Sequence, residues 1–265
     1  MQNRKERVGG WLPKDNQQIT NWINQLVREI QPRMRVQSST NGLKAEVLFK
    51  HREVQELKEL LDRDPKIHLL AVQMIEQGRE YSAEDPTGKP EIEDYDTMLA
   101  LIDYIIGTAP EYMALGAKGR GLIGFPINAI LDWCMGTQAG YAFFLNEQVN
   151  RCFEKILKAW CAYLETEESV YVLNDTETGW LCEAAKEELN LLDFKCDTSD
   201  PKYGFKSWNS FFTREFKEGM RPVAAAEDPY VIVSACESAP YRISTNVQKN
   251  TKFWLKGQPY SLEYM

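Results

Sequence analysis

Histidine is the scarcest chemistry-bearing side chain in this 265-residue sequence, which holds only His51 and His68. Neither has a second histidine at metal-ligand spacing, which argues against a His-rich catalytic zinc centre. No nucleophile motif accompanies either one, so a Ser-His-Asp or Cys-His triad has no anchor. His51 is read as part of a solvated helix face, and His68, one turn after Asp64, as a local cap or pairing partner. The six cysteines (Cys134, Cys152, Cys161, Cys182, Cys196, Cys236) contain no C-x-x-C pair, which favours reduced thiols over a disulfide framework or a zinc site. There is no G-x-x-x-x-G-K-S/T phosphate loop. Gly119-Arg120-Gly121-Leu122-Ile123-Gly124 satisfies G-x-G-x-x-G but follows a helical pattern rather than a strand, so it is read as a loop needing positive backbone dihedrals. Long apolar runs are also missing: nothing approaches the roughly 18 to 20 residues of a spanning helix. Residues 1–7 have no apolar run behind them, which predicts no signal peptide and a soluble, cytoplasmic protein. Excess positive charge is absent too. A net charge of -8 and a pI near 5.1, with no basic stripe, argue against nucleic acid or an anionic membrane as the main partner.

What the sequence does hold is apolar and helical in its first two thirds. With 43% hydrophobic and 11% aromatic residues it can build a sizeable core. Trp22, Ile23, Leu26, Val27 and Ile30 give a first helix face that Pro32 closes. A second face runs from Val47 to Leu61, and Asp64-Pro65 caps and opens a third helix ending at Gly78. Residues 80–93 carry five acidic side chains, two prolines and Gly88, the composition of a surface loop. A helix over 95–106 ends at Gly107. Pro126 then leads into a long helix over 127–164, interrupted near Gly136 or Gly140 and apolar on more than one face, as a central bundle helix would be. The helical pattern stops at 165–169. Val170-Tyr171-Val172-Leu173 has strand character, 174–179 is a turn cluster, and 180–192 is helical again. Strands are expected at 230–234, at 239–244 and at 251–255, with Lys256-Gly257-Gln258-Pro259 as a turn. The fold class read from this is α+β, a mainly α-helical N-terminal domain (1–168) followed by the first strands of an incomplete β-rich domain (169–265).

The chain is organised around residues 203–222, which include Trp208-Asn209-Ser210-Phe211-Phe212-Thr213-Arg214-Glu215-Phe216. Ser207 is placed to N-cap a short helix, the aromatics recur at helical spacing, and Gly219 with Arg221-Pro222 stops it. Trp208, Phe211 and Phe212 are read as core. Arg214 is read as making a structural ion pair or holding a loop, with a substrate-carboxylate role open because its planar fork suits carboxylates.

The W-x-S-F-F-x-R-x-F-K-x-G-x-R-P pattern, then Val233-Ser234-Ala235-Cys236-Glu237-Ser238, then Leu255-Lys256-Gly257-Gln258-Pro259-Tyr260-Ser261-Leu262, resembles the phosphatidylserine decarboxylase family. Ser-Ala-Cys-Glu-Ser is closest to the soluble fungal branch that decarboxylates aromatic amino acids such as L-tryptophan. Asp64-Pro65-Lys66-Ile67-His68, the block from Pro126 to Tyr141 with Gly136-Thr137-Gln138-Ala139-Gly140-Tyr141, and Gly179-Trp180-Leu181 resemble the helical domain preceding the catalytic domain in that branch. The resemblance implies a chain that cleaves itself at a serine to make a pyruvoyl group, the electron sink for the carbanion left by carbon dioxide loss. It places Glu237 at the position of the acid that assists self-cleavage, and leaves Cys236 and Arg214 as candidate substrate contacts. An amino-acid type small molecule is the implied substrate, L-tryptophan-like or a phosphatidylserine head group. The resemblance leaves a separate C-terminal chain and a homodimer open as partners.

The departures matter as much as the match. No histidine follows His68 and no Gly-Ser pair occurs anywhere in the 265 residues, so the serine that would become the pyruvoyl carbonyl is missing from this sequence. Three readings follow. The chain is the N-terminal portion of such a decarboxylase, it is a catalytically inactive binding or scaffold homologue, or it is an enzyme with altered chemistry at Glu237, Cys236 or Arg214.

Overall fold

The computed structural model describes residues 16–38, 49–82, 92–112, 126–236, 243–255 and 258–264. The described helices are α1 (Asn16–Ser38), α2 (Arg52–Arg63), α3 (Pro65–Ser82), α4 (Tyr95–Ile105), α5 (Pro126–Met135), α6 (Gln138–Leu145), α7 (Glu147–Leu164), α8 (Glu183–Glu188) and α9 (Trp208–Phe212). Short 3-10 turns lie at Glu167–Val172, Leu191–Asp193 and Leu262–Tyr264. The architecture is mainly helical. Two compact units divide the chain, Met1–Glu215 and Phe216–Met265.

Local chemistry explains most of the helix starts in the first unit. Asp64 accepts from the backbone N–H groups of Lys66 (2.9 Å) and Ile67 (3.2 Å) ahead of Pro65, the first residue of α3. Asp94 caps α4 through the Thr97 N–H. The helix expected over 127–164 is three helices. Thr137 Oγ1 accepts from Gly140 N (2.9 Å) and starts α6, while Asn146 ends α6 and starts α7, accepting from Gln148 N and Val149 N at 2.9 and 3.2 Å. Each break is a side-chain acceptor outcompeting the helix for backbone donors. Pro32 does not close α1, which runs on to Ser38: the ring deletes one N–H donor to the Arg28 carbonyl, and Arg28 is exposed to water that can take its place.

The core is one cluster. α3 packs on α5 and α6, α2 on α3 and α7, and α4 on α1 and α5. Ile19, Ile23, Leu57, Leu61, Met74, Leu99, Ile102 and Phe143 are fully buried in it, and Trp180, Leu181, Phe205, Trp208 and Phe211 belong to the same cluster. No described helix is long and apolar enough to cross a membrane.

Two further expectations in the first unit are corrected. Residues 170–173 form no strand: Val170 to Val172 complete the 3-10 turn Glu167–Val172 and Leu173 is its C-cap, while Ser169 Oγ shares its one proton between Leu164 O and Thr166 O, tying the turn to the end of α7. The helix expected over 180–192 is only α8 followed by a 3-10 turn, with Asn190 in the left-handed conformation between them (φ 46°).

In the second unit the expected β-rich character is not met among the described residues. Residues 230–234 carry no strand, and Tyr230 and Ile232 are 94% and 96% exposed, since β-branched propensity alone cannot hold an extended chain without a partner. The strand at the end of 251–255 does form. β1 (Phe253–Leu255) pairs antiparallel with β2 (Gln258–Tyr260), Phe253 opposite Tyr260 and Leu255 opposite Gln258. Residues 9–13, the glycine-rich stretch 116–124, most of the acidic stretch 80–93, and Glu237 with Ser238 lie outside the described residues.

Candidate functional site

Five residues after α4, 108–112, lie outside regular structure and are held almost wholly by aromatic side chains. Trp160 Nε1 donates to Thr108 O (2.9 Å). Tyr171 Oη accepts from Ala109 N (3.0 Å) and lies 3.1 Å from Ala109 O, to which it donates. Trp180 Nε1 donates to Pro110 O (2.7 Å). Tyr112 N donates to Thr178 O, and Tyr112 Oη donates to Glu188 Oε2 at 2.8 Å. Buried backbone groups outside regular structure must find partners, and here α7, the 3-10 turn and the loop before α8 supply them. Gly179 lets Trp180 reach this position: a Cβ there would lie 2.1 Å from Asn174 O.

Burial, followed by its hydrogen bond to Glu188, pushes the Tyr112 phenol up to about 12. A folded-state value above the unfolded one near 10 means stability that is complete below about pH 10 and is lost as pH climbs toward 12. Alkaline unfolding is therefore expected to steepen in that window, with the partly desolvated Tyr163 and Tyr171 contributing in the same direction. Urea titrations from pH 9 to 12 should show a shallower fall for Tyr112→Phe than for the wild type.

Trp180 carries this clamp to α9. Its ring meets Tyr112 at 5.5 Å on one side and Phe211 at 5.5 Å on the other, and Phe205 meets Phe211 edge-on at 5.4 Å. The start of α9 is doubly capped, Ser207 Oγ accepting from Ser210 N and Ser210 Oγ from Ser207 N, each at 3.0 Å. A third serine joins the parts. Ser169, fully buried, accepts the Trp208 N–H at 2.8 Å while its own hydroxyl points back to the end of α7. Ser169→Ala leaves that N–H without an acceptor, and about 1–3 kcal/mol of stability should be lost. Chemical denaturation checks this; a loss under about 0.5 kcal/mol would show that water replaces the hydroxyl.

Trp208 and Phe211 are core, as read from the sequence, but Phe212 is 55% exposed and stacks on Trp208 at 4.9 Å. A helix of five residues has only one buried side, and Phe212 falls off it. Arg214 forms no ion pair among the described residues. Its guanidinium carbon lies over the rings of Phe194 (4.3 Å) and Phe211 (4.8 Å), and one terminal nitrogen donates to Phe211 O at 2.9 Å. Nε is buried and meets no acceptor, and burial pulls the guanidinium below its ordinary value. The adjacent carboxylate, Glu215, is taken by Lys195 at 2.6 Å. Cys236 is exposed and belongs to the second unit, with Ser234 Oγ donating to its carbonyl at 2.6 Å. The structure thus brings Arg214 and the aromatic cluster together, while Cys236 falls in the other unit and Glu237 is outside the described residues.

A family model for phosphatidylserine decarboxylase matches residues 51–189, and a second of the same description matches 208–265. The chain belongs to the phosphatidylserine decarboxylase family. Among curated relatives, decarboxylase iboD of Amanita muscaria is 34% identical over 174 residues, covering 61% of this chain and 50% of the relative. The L-tryptophan decarboxylase of Psilocybe cubensis is 30% identical over 228 residues, 80% of this chain and 48% of the relative. Phosphatidylserine decarboxylase proenzyme 2 of Oryza sativa is 36% identical over 81 residues, 31% of this chain and 12% of the relative. The chain spans about half the length of the fungal relatives it matches.

The first decarboxylase match ends just past α8, and the second opens at Trp208, the first residue of α9. Ser169 and Trp180 from the first match and Trp208 and Phe211 from the second share one core. Sequence reading missed this joint, placing Ser169 at a boundary and Tyr171 in a strand. It also missed the pairing of His51, which is not on a solvated face. Half-buried at the N-cap of α2, His51 bonds Asp103 Oδ1 through Nδ1 at 3.0 Å, and the buried Asp103 also accepts the N–H groups of Lys50 and His51. An aspartate inside the apolar stripe of α4 was the available signal, since a buried carboxylate demands partners. Among the described residues no three His, Cys, Asp or Glu side chains gather as metal ligands.

Proposed function

We propose that this chain is the N-terminal portion of a pyruvoyl-dependent decarboxylase, acting on an amino-acid type substrate when the C-terminal part is supplied. The observation that carries the reading is the pair of family matches in order, the second opening on the Trp208 stretch, in a chain whose matches cover 50% and 48% of the two fungal decarboxylases. In this reading residues 1–168 are the associated helical domain and 169–265 open the catalytic domain. The similarity to relatives named L-tryptophan decarboxylase favours a free aromatic amino acid over a phospholipid as substrate.

The pyruvoyl group would supply the electron sink for carbon dioxide loss. These residues cannot generate it, because no Gly-Ser pair stands in the sequence. This chain's share is scaffold and recognition. The aromatic clamp fixes α9 and so holds Arg214.

The test is the native protein, captured from its source with an antibody against residues 1–265 and examined by mass spectrometry and carbonyl-specific hydrazine labelling. A longer parent, or a companion chain blocked at its N-terminus and labelled by hydrazine, is the expected result. A homogeneous 30.6 kDa species with no labelled companion would contradict the reading and favour a binding homologue.

A further inference from the structure

Where α2 meets the first turn of α4, three carboxylates, Asp62, Asp94 and Asp96, gather beside one ammonium, Lys58. Lys58 gives its hydrogen bonds to Asp62, with Nζ 2.6 and 2.7 Å from the two oxygens. Asp94 is taken up as the N-cap of α4, accepting the Thr97 N–H. Asp96 is left over. Its Oδ1 stands 3.8 Å from Lys58 Nζ, within ion-pair range but beyond hydrogen-bond reach, and is buried with no donor. The side chain as a whole is 39% exposed, so water and protons reach the carboxyl from its other side. The charged groups facing it are Lys58 and Asp62 from α2 and Asp94 ahead of α4. From α3, His68 meets the neighbouring Tyr95 edge-on at 5.4 Å, and Lys58 Nζ lies 5.5 Å from the same ring. The positive end of α4 favours a negative charge and is already met by Asp94. Burial pushes the Asp96 carboxyl above its ordinary range, with Lys58 pulling against it and Asp94 and Asp62 adding to the push.

We infer that Asp96 is an acid-set latch: taking up a proton in mildly acid solution removes the poorly compensated charge at this joint and tightens the first turn of α4 onto α2. The sign is opposite to that of an ordinary salt-bridged carboxylate. A folded-state value above the unfolded one means stability that is complete below the unfolded value and is lost as pH rises through the folded value. The joint is therefore tightest in acid and looser at neutral pH. The helix it tightens is the one whose buried Asp103 holds His51 and the N–H groups of Lys50 and His51, and whose end leads into the clamped segment 108–112. Asp62, Asp94 and Asp96 lie outside the aromatic clamp, and the latch does not depend on the chain's being a decarboxylase.

The experiment uses the whole 265-residue chain. The side-chain carboxyl carbon of Asp96, assigned by through-bond correlation and by its absence in Asp96→Asn, is followed by 13C NMR from about pH 7 to about pH 3, a range that spans the ordinary aspartate titration. A midpoint above that of an ordinary aspartate is expected. In Asp62→Asn the midpoint should fall, because a like charge is gone and Lys58 is free to turn to Asp96. Amide exchange at Met98, whose N–H is bonded to Asp94 O in the first turn of α4, should slow in the wild type as pH falls, once intrinsic rates are subtracted. Asp96→Asn should lose that dependence, melting above the wild type at neutral pH and level with it in acid. Should Asp62→Asn not fold, the wild-type midpoint and the pH profile of Asp96→Asn decide. A midpoint at or below the ordinary value overturns the latch, as does one that Asp62→Asn leaves unchanged. An Asp96→Asn variant that melts below the wild type by the same margin at neutral and acid pH also overturns it, since Asp96 would then be a plain partner of Lys58.

Discussion

Trp180→Ala should cost roughly 3–5 kcal/mol of folding stability, the range for emptying a fully packed aromatic site. Three losses coincide. The ring leaves a cavity between Tyr112 and Phe211, the indole N–H no longer satisfies Pro110 O, and the clamp on residues 108–112 loses its central member. Trp180→Phe separates the contributions, because it keeps most of the ring and removes only the donor, at about 1–2 kcal/mol. Both are measured by urea denaturation with far-ultraviolet circular dichroism. Since whole domains are stable by only about 5–15 kcal/mol, the alanine variant should be marginal at 37 °C. A loss under about 1 kcal/mol would mean that α9 and the 108–112 segment do not depend on each other through this ring.

A comparable loss is expected from a single methyl group at Gly140. A Cβ there would stand 1.8 Å from Cys134 O and 2.8 Å from Thr137 Oγ1, distances no side-chain rotation can relieve because backbone is in the way. The turn between α5 and α6 would have to open, breaking the Thr137 cap on Gly140 N. Roughly 3 kcal/mol is expected, at the upper end for forced overpacking. Thermal melting reads the stability. Maleimide labelling reads the geometry, because Cys134, 5% exposed in the folded chain, should react faster once the turn opens. A variant with unchanged melting and unchanged Cys134 reactivity would contradict the close packing of α5 on α6.

Local chemistry in the sequence told most where the answer was itself local. Asp64-Pro65, Ser207 and the break at Gly136 were legible because a cap, a ring or a turn acts within four residues. The contacts that build the site act across distances no periodicity reports: Ser169 to Trp208 spans 39 residues, Tyr171 to Ala109 spans 62, and Trp180 to Pro110 spans 70. Val170-Tyr171-Val172-Leu173 looked like a strand because β-branched and aromatic residues fit a pleated surface, and that weak preference yielded to the Ser169 hydroxyl shared between Leu164 O and Thr166 O and to burial of Val172. Phe212 looked like core because its neighbours are. Which aromatic of Trp208, Phe211 and Phe212 faces inward depends on where a five-residue helix is docked, and the docking is set by Ser169. Arg214 was legible as a fork but not as one without a carboxylate.

The proposal on which the rest depends is that the electron sink would be a pyruvoyl group made from a serine absent from these 265 residues. The direct measurement is an assay of the purified chain, free of any companion, for amine and carbon dioxide from L-tryptophan and from phosphatidylserine. No product is predicted from the chain alone, with turnover appearing only when the C-terminal part of the native protein is present. Amine released by the isolated chain would contradict the account.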